Sequence, residues 1–559
     1  MAKTSKKSRR SNRGRKKVLF HVGGPWHETR KVAEMVADWA GRNGNRYRFE
    51  ITDDVNVFSG DLEAYHAVAV YSMGTESLPA KAEMNLVKYV ENGGALVGLH
   101  CAACQFPASE AWVKLLGGQF DFHPPQLAFP VRMLDPTHPA TRRVLDFEIF
   151  DELYLTKNRA DDIEVLATTR FKDQDVPLIW TRSQGQGRVY FNALGHGPKQ
   201  LADPVLAKSY LRGLDWACGI EEPAKPVRCA MLGYGGAFSM GKRHSEDINA
   251  VAGMKAVAAC DTDPARAAQA KEDFPEFRTF TDPDELLADD EIDLVVIILP
   301  HNLHAEYAIR ALQAGKHVVL EKPFCLSLDE ADKMIAAAEK AGKMLTCYHN
   351  RRWDGDYRTI RRIIESGRIG EVFEIQAGFA RYGRPRDWWR SNKDISGGTL
   401  YDWGAHFTDW ILGLIPGKIA EISGFFQFGK VWLHQTNEDH TQAIIRFENG
   451  AMADLVISQI AAAGRPRWRI CGTKGAILDD GSVEKGCKVF YADQTGQLVE
   501  QIVKWGPSRW EEYYVNLADH LLAGDELVVK ADQARRVIGV IETAEKSSKQ
   551  GKALSLPGE

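Results

Sequence analysis

The pattern of strand, glycine turn and helix starts twice in this chain, and that restart constrains the fold more than any other feature. Between residues 18 and 219 the apolar runs KVLFHV, AVAVYS, GALVGLH and GRVYFNAL read as buried strands, and the amphipathic stretches 29–40 and 81–92 read as helices. A polar, proline-bearing junction, GIEEPAKP, interrupts this pattern before VRCAMLGYGG begins it afresh. Two starts predict two separate α/β sheets, each mostly parallel.

The second series runs strand, glycine turn, helix, a strand ending in acid (KAVAACD), then DLVVIILP and KHVVLEKP with helices between, which predicts a doubly wound nucleotide-binding domain. After residue 347 the texture changes to longer strands with glycine and aromatic residues, such as VFEIQAGFARYG, KIAEISGFFQFG, TQAIIRFENGAMADLVIS and RWRICGTKGAILDD. These predict a meandering open sheet with flanking helices, an α+β domain. The expected division is a tail at 1–17, a first domain at 18–219, a linker at 220–226, a Rossmann domain at 227–347 and a carboxyl-terminal domain at 348–559. A chain of 559 residues has room for this at about 150 residues per domain.

Residues 1–17 hold nine Lys and Arg and no acid, so a net charge of −4 leaves −13 on the remainder. An acidic body argues against a large nucleic-acid surface, and the tail reads as a solvated, disordered arm. The apolar run after Arg9-Arg10 is too short for an export signal, and no stretch reaches the roughly 18 apolar residues of a membrane helix. Nine cysteines in so long a chain fit a reducing compartment, and a cytoplasmic protein is expected. Cys101 and Cys104 form a lone CxxC without a second pair, so no structural zinc is assigned.

The glycine turn of the second series reads GYGGAF. Gly233 permits a tight turn and Gly235 the approach of backbone to a pyrophosphate, with Gly236 following and Phe238 where a third glycine is usual. Asp261 closes the next strand about where a ribose-binding acid belongs. No arginine follows it directly, which favours NAD over NADP, although Arg266 could swing in. Glu321, Lys322 and Pro323 end the strand KHVVLEKPF, and an ammonium there can handle a substrate proton; a lysine capping a strand is the plain alternative. Asp402 and His406 stand four apart in GGTLYDWGAHFTDW and so share a helix face. Either the carboxylate fixes the imidazole tautomer for acid/base work, or the two make an ordinary helix contact.

With ACDTDPARA, ILPHNLHAEYAIRALQAGKHVVLEKPF and EEYYVNLADHLLAG added, residues 226–559 resemble the Gfo/Idh/MocA oxidoreductases. The resemblance implies a catalytic group of Lys322, Asp402 and His406. It places Gly233, Gly235, Gly236, Phe238, Asp261, Pro300, Asn302, His304, Glu321, Lys322 and Pro323 around the cofactor. It further implies hydride transfer from a sugar carbon to a nicotinamide, with His406 or Lys322 taking the hydroxyl proton and Asp402 orienting the imidazole. A solvated lysine is charged at neutral pH, so Lys322 is a base only if its surroundings lower its pKa, and otherwise donates to the developing alkoxide. Arg351, Trp388, Trp389 and Arg390 are candidates for the sugar, indoles for its apolar face and guanidinium groups for its hydroxyls. Paired tryptophans equally suit a core or an interface.

The first domain carries HVGGPWH, YVENGGALVGLHCAA, LLGGQFDFHPP, HPAT at 138–141, DELY at 151–154 and GQGRVYFNALGH, and resembles the ThuA, or trehalose-utilisation, family. The resemblance implies the flavodoxin-like, class I glutamine amidotransferase-like fold. In that fold a cysteine nucleophile occupies a strand-to-helix elbow. Here GLHCA puts His100 at the elbow and Cys101 one residue later, so glutaminase activity is not expected. His21, His27, His100, His123, His138, Asp151, Glu152 and His196 fall at or after strand ends. Several converging could bind a divalent metal or act as acid and base on a sugar; scattered histidines capping turns are the alternative. The resemblance implies one pocket for His27, His100, Glu152 and His196, and no metal is assigned to it.

The expectation is a cytoplasmic, multidomain protein of carbohydrate metabolism, in which a ThuA-like carbohydrate-processing domain is fused to an NAD-dependent dehydrogenase acting on a sugar or glycoside hydroxyl. A redox-assisted glycosidase or lyase with no net redox change uses the same residues. A non-catalytic, sugar-responsive binding protein is a further alternative. A small carbohydrate is the expected partner, with homo-oligomerisation through the carboxyl-terminal sheet and no membrane or nucleic-acid partner.

Overall fold

A computed structural model describes residues 14–74, 78–235 and 238–559, so most of the basic tail and Gly236 lie outside the described residues. The chain forms two compact units.

The first unit runs up to Lys225 and also takes in Asp519–Glu526. Its nine-stranded sheet runs, edge to edge, Tyr47–Thr52, Lys16–Gly23, Ala67–Ser72, Ala95–Leu99, Gly187–Asn192, Gln174–Gln184, Glu164–Phe171, Leu127–Met133 and Phe147–Asp151. The first five strands are parallel, and the rest pair antiparallel. The sheet is therefore less parallel than its sequence predicts. The hairpin 164–184 turns over Lys172-Asp173, both at positive φ, a two-residue turn without its usual asparagine or glycine. Alternate strand residues serve two cores. Val18, Phe20, Ala67 and Tyr71 pack with helices Thr29–Arg42 and Pro204–Ala217, while Leu19, Val68 and Val70 pack with Ala80–Glu91 and Glu110–Leu116.

The eight late residues of this unit bring in an acid. Asp519 is buried with Lys208 Nζ at 2.5 Å, Arg143 Nε at 2.6 Å and Arg212 Nη2 at 2.8 Å. Burial pushes its carboxyl up, but the three cations outweigh this and keep it ionised. Arg212 also reaches Asp525 Oδ2 at 2.7 Å. The division at 348–559 is thus corrected by the segment 519–526, whose acids are matched to the cations of the first unit.

The second unit, Pro226–Ala518 with Leu527–Glu559, contains both remaining sheets. The six-stranded one is parallel and runs Arg278–Phe280, Met254–Cys260, Val227–Leu232, Leu294–Ile297, His317–Leu320 and Leu345–Cys347. Strand order reverses beside Val227–Leu232, which opens a crevice past the strand ends. The eight-stranded sheet is antiparallel apart from the Val372–Ala380 pairing with Met452–Ser458. Helix Ala531–Gln550 packs on its edge strand Ile419–Phe428. Its hairpin of Gly486–Ala492 and Leu498–Lys504 was not anticipated; residues such as Leu498 and Ile502 face outward there and blur the alternation.

All nine cysteines are free, and Cys101 is fully buried. Among the described residues no helix is long and apolar enough to cross a membrane.

Removing Arg212 would leave Asp519 short of one cation and Asp525 without its closest partner. Arg212→Ala should destabilise the first unit by about 3–5 kcal/mol, seen in calorimetry as one transition moving down while the other stays.

Candidate functional site

At the strand-order reversal of the second unit lies a cleft of about 720 Å³. Gly233, at φ +98°, starts its floor; a Cβ there would stand 2.2 Å from Ile298 O, so only glycine lets the first strand turn this closely against the fourth. Gly235 follows, with the Arg266 guanidinium 3.4 Å from where its Cβ would be. Asp261 sits at the end of the second strand and accepts from Tyr234 N at 2.8 Å and Asp263 N at 3.0 Å. Its Oδ2 is 3.8 Å from Arg266 Nη1, so an acid and a base share the expected ribose position.

Lys322 projects from the fifth strand's end, and its Nζ meets Asp402 Oδ1 at 2.5 Å. Arg390 Nη1 reaches the same oxygen at 2.9 Å. Burial alone would raise the Asp402 carboxyl, but Lys322 and Arg390 hold it well below the usual range. The expected contact between Asp402 and His406 is absent. Residues Leu400–Gly404 form a π-turn that leads into helix Ala405–Leu414, and its wider spacing turns Asp402 off the helix face on which His406 lies. His406 packs instead among Trp403, Trp410 and His349. Its Nδ1 is buried without a partner, which leaves Nε2 to the cleft. Burial first, then Lys322 and Arg351, push its pKa well below that of ordinary histidine, so it is neutral.

The other predicted residues divide. Phe238, Pro300, Glu321, Arg351, Trp389 and Arg390 line the cleft. Glu321 accepts from His244 Nε2 at 3.0 Å, and His244 Nδ1 lies 2.7 Å from Tyr514 Oη. Asn302, His304, Pro323 and Trp388 are not part of the lining. Both ring nitrogens of His304 lie on backbone carbonyls, of Pro323 and Leu299, so it braces the strand end. Trp388 turns to Phe238, with ring centres 5.8 Å apart, and only Trp389 of the pair reaches the cleft. His301 was missed. It lies between Trp389 and the carbonyl of Ser396, with Nε2 buried and unpartnered, and the run PHNLH was its only sequence signal. Trp403 comes with Asp402 from the GGTLYDWGAHFTDW segment, whereas Arg243 and Trp510 enter from elements whose approach no local pattern announces.

In the first unit His27, His100, Glu152 and His196 converge. His123 lies at their margin, its Nε2 3.8 Å from Glu152 Oε1. Asp151 lies beneath and accepts from the backbone N–H of Glu152, Gly195 and His196. His21 pairs with Ser72 and His138 packs on Trp216; neither joins the group.

The cleft suits a dinucleotide, given the Gly233 cradle at the strand-order reversal and a carboxylate at the next strand end. A family profile described as an oxidoreductase family with an NAD-binding Rossmann fold matches residues 227–349, and one for the GFO/IDH/MocA carboxyl-terminal domain matches 357–478. A third, described as trehalose utilisation (ThuA), matches 17–217. The uncharacterized oxidoreductase C115.03 of Schizosaccharomyces pombe is 30% identical over 370 residues, covering 59% of this chain and all of that one. The scyllo-inositol 2-dehydrogenase (NADP(+)) IolW of Bacillus subtilis is 30% identical over 318 residues, covering 52% of this chain and 87% of that one. A solved NAD-binding protein from Listeria innocua is 26% identical with a TM-score of 0.52, covering 60% of this chain and 98% of that one.

His301 and His406 are held neutral by burial, whereas in the unfolded chain they take up protons below about pH 6.5. Stability of the second unit should therefore be flat above that pH and fall below it, by about 1.4 kcal/mol per pH unit for each histidine. Denaturation midpoints at pH 7.5 and 5.5 check this, and His301→Asn should shrink the difference.

Proposed function

Because this chain belongs to the Gfo/Idh/MocA oxidoreductases, with a ThuA domain ahead of that fold, we propose that it oxidises a secondary hydroxyl of a sugar or glycoside with NAD. The observation that carries this reading is a neutral His406 beside the Lys322–Asp402–Arg390 charge cluster, in the crevice that Gly233 and Asp261 also line.

When bound, NAD supplies a hydride acceptor. Gly233 and Gly235 let the backbone approach the pyrophosphate, and Asp261 takes a ribose hydroxyl. The hydroxyl of the substrate lies between Lys322 and His406. His406 accepts its proton at Nε2, as a neutral imidazole can. Lys322 donates a hydrogen bond to the oxygen as negative charge grows there. Its ion pair with Asp402 suits the charged ammonium, which favours this role over that of base. Asp402 and Arg390 thus position Lys322 and do not touch the proton. Trp389 and Trp403 offer aromatic faces to a saturated ring, and Arg351 a donor to its hydroxyls. A relative named for an inositol supports a polyhydroxylated ring as the substrate class. The ThuA domain is proposed to process the same class of carbohydrate, on the ground of covalent fusion.

Mass spectrometry of products from NAD and a panel of glycosides and cyclitols, with NADH absorbance followed in parallel, should find a product lighter by two hydrogens as NADH rises. Hydrolysed sugar without NADH would overturn net oxidation. Lys322→Ala and His406→Ala should each lower kcat/KM by about 10²–10⁴ and spare NAD binding. Unchanged turnover in either would refute the assignment.

Cofactor choice follows from Asp261, whose carboxylate repels a 2′-phosphate. The wild-type Kd for NAD should lie at least about tenfold below that for NADP. Arg266→Ala should widen the gap, as titration of ligand-induced fluorescence would report.

A further inference from the structure

We propose that the first unit binds one divalent transition-metal ion of the zinc class between His27, His100, Glu152 and His196. Four loops supply the donors. His27 follows the strand Lys16–Gly23, His100 ends Ala95–Leu99, Glu152 follows Phe147–Asp151, and His196 follows Gly187–Asn192. One ligand atom from each lies within 4.8 Å of all the others. Around a tetrahedral zinc with bonds of about 2.0–2.1 Å, donors sit roughly 3.4 Å apart. Small side-chain rotations close this set on an ion.

Ion pairing of Glu152 with His196 and His100 accounts for part of the group and leaves His27 out of it. Glu152 Oε2 lies 3.0 Å from His196 Nδ1 and 3.5 Å from His100 Nε2. Neither nitrogen has an aligned partner, and both ring nitrogens of His27 are likewise buried and unpartnered. Unsatisfied buried polar atoms are costly, and three imidazoles aimed at one carboxylate are explained together by a cation among them.

The surroundings hold the donors as a metal site requires. His100 Nδ1 lies 2.8 Å from Ala193 O, so it carries the proton and leaves the Nε2 lone pair facing the group. His100 is itself fully buried. It keeps φ at +42°, a strained value for a non-glycine residue, and Tyr154 packs on it at a tilt of 30° with ring centres 4.0 Å apart. Asp151, through its three backbone N–H bonds, ties the Glu152 loop to the His196 loop. Three imidazoles with one carboxylate suit zinc and its neighbours, whereas magnesium and calcium prefer all-oxygen sets. His196 and His123, both part-exposed and both facing Glu152, leave an opening through which an oxygen ligand can reach the ion.

The test is calorimetric titration of the chelator-stripped, full-length protein with zinc chloride, with cobalt(II) absorbance as a second probe. The expected result is one ion per chain, visible cobalt bands, and a raised melting temperature for the first unit. His196→Ala and Glu152→Gln should each weaken zinc binding at least about tenfold, and the double variant should lose it. His138→Ala, outside the group, should bind as wild type does. His196 and Glu152 are not fully buried, so these variants keep the test alive if His100→Ala fails to fold. No zinc or cobalt binding by the stripped wild type, or binding unchanged in a folded double variant, would overturn the proposal.

Discussion

The ionised carboxylate of Asp402 holds together the charged groups of the second unit's cleft. Two cations from distant parts of the chain, Lys322 at a Rossmann strand end and Arg390 from the loop before the π-turn, meet on one of its oxygens. Without that charge the two cations would repel each other. The low carboxyl pKa is the equilibrium expression of the same attraction. Beside the cluster His406 stays neutral because the cavity that admits cations paired with an acid cannot also admit an unpaired imidazolium. An ion-paired cluster and a neutral imidazole thus line one cleft, each held in its state by its surroundings.

The first unit meets a comparable constraint with different groups. Its histidines also gather past the ends of parallel strands, where the backbone must turn and side chains can converge, and Glu152 joins them from the end of the antiparallel edge strand Phe147–Asp151. There the one carboxylate lies among imidazoles, so nitrogen lone pairs rather than ammonium groups set the chemistry. The acid that stabilises this unit elsewhere, Asp519, is drawn from far down the chain and satisfied by Arg143, Lys208 and Arg212. Burying an acid is tolerable only where cations are already waiting.

Much of the architecture was legible because buried parallel strands are continuous apolar runs and their helices are amphipathic. The run VRCAMLGYGG announced both the first Rossmann strand and the turn at Gly233, and the EKP segment announced Lys322 at a strand end. The hairpin over Lys172-Asp173 was hidden because its turn residues are not those such turns favour. His301 was passed over for His304 within one short segment. Spacing alone could not tell which ring faces the cleft and which grips two carbonyls. The Asp402–His406 pairing failed because a four-residue spacing means one face only on an α-helix, and a π-turn intervenes.

What the sequence determined by itself is the order of elements, the two families they resemble, and the residue types that carry chemistry, since all of these follow from local periodicity and short motifs. Tertiary structure alone decided who partners whom. It gave Asp402 to Lys322 and Arg390, left His406 neutral, gathered His27, His100, Glu152 and His196 from four loops, and moved residues 519–526 to the first unit. Each of these depends on charge and burial between groups far apart in the chain, and on distances that no local pattern encodes.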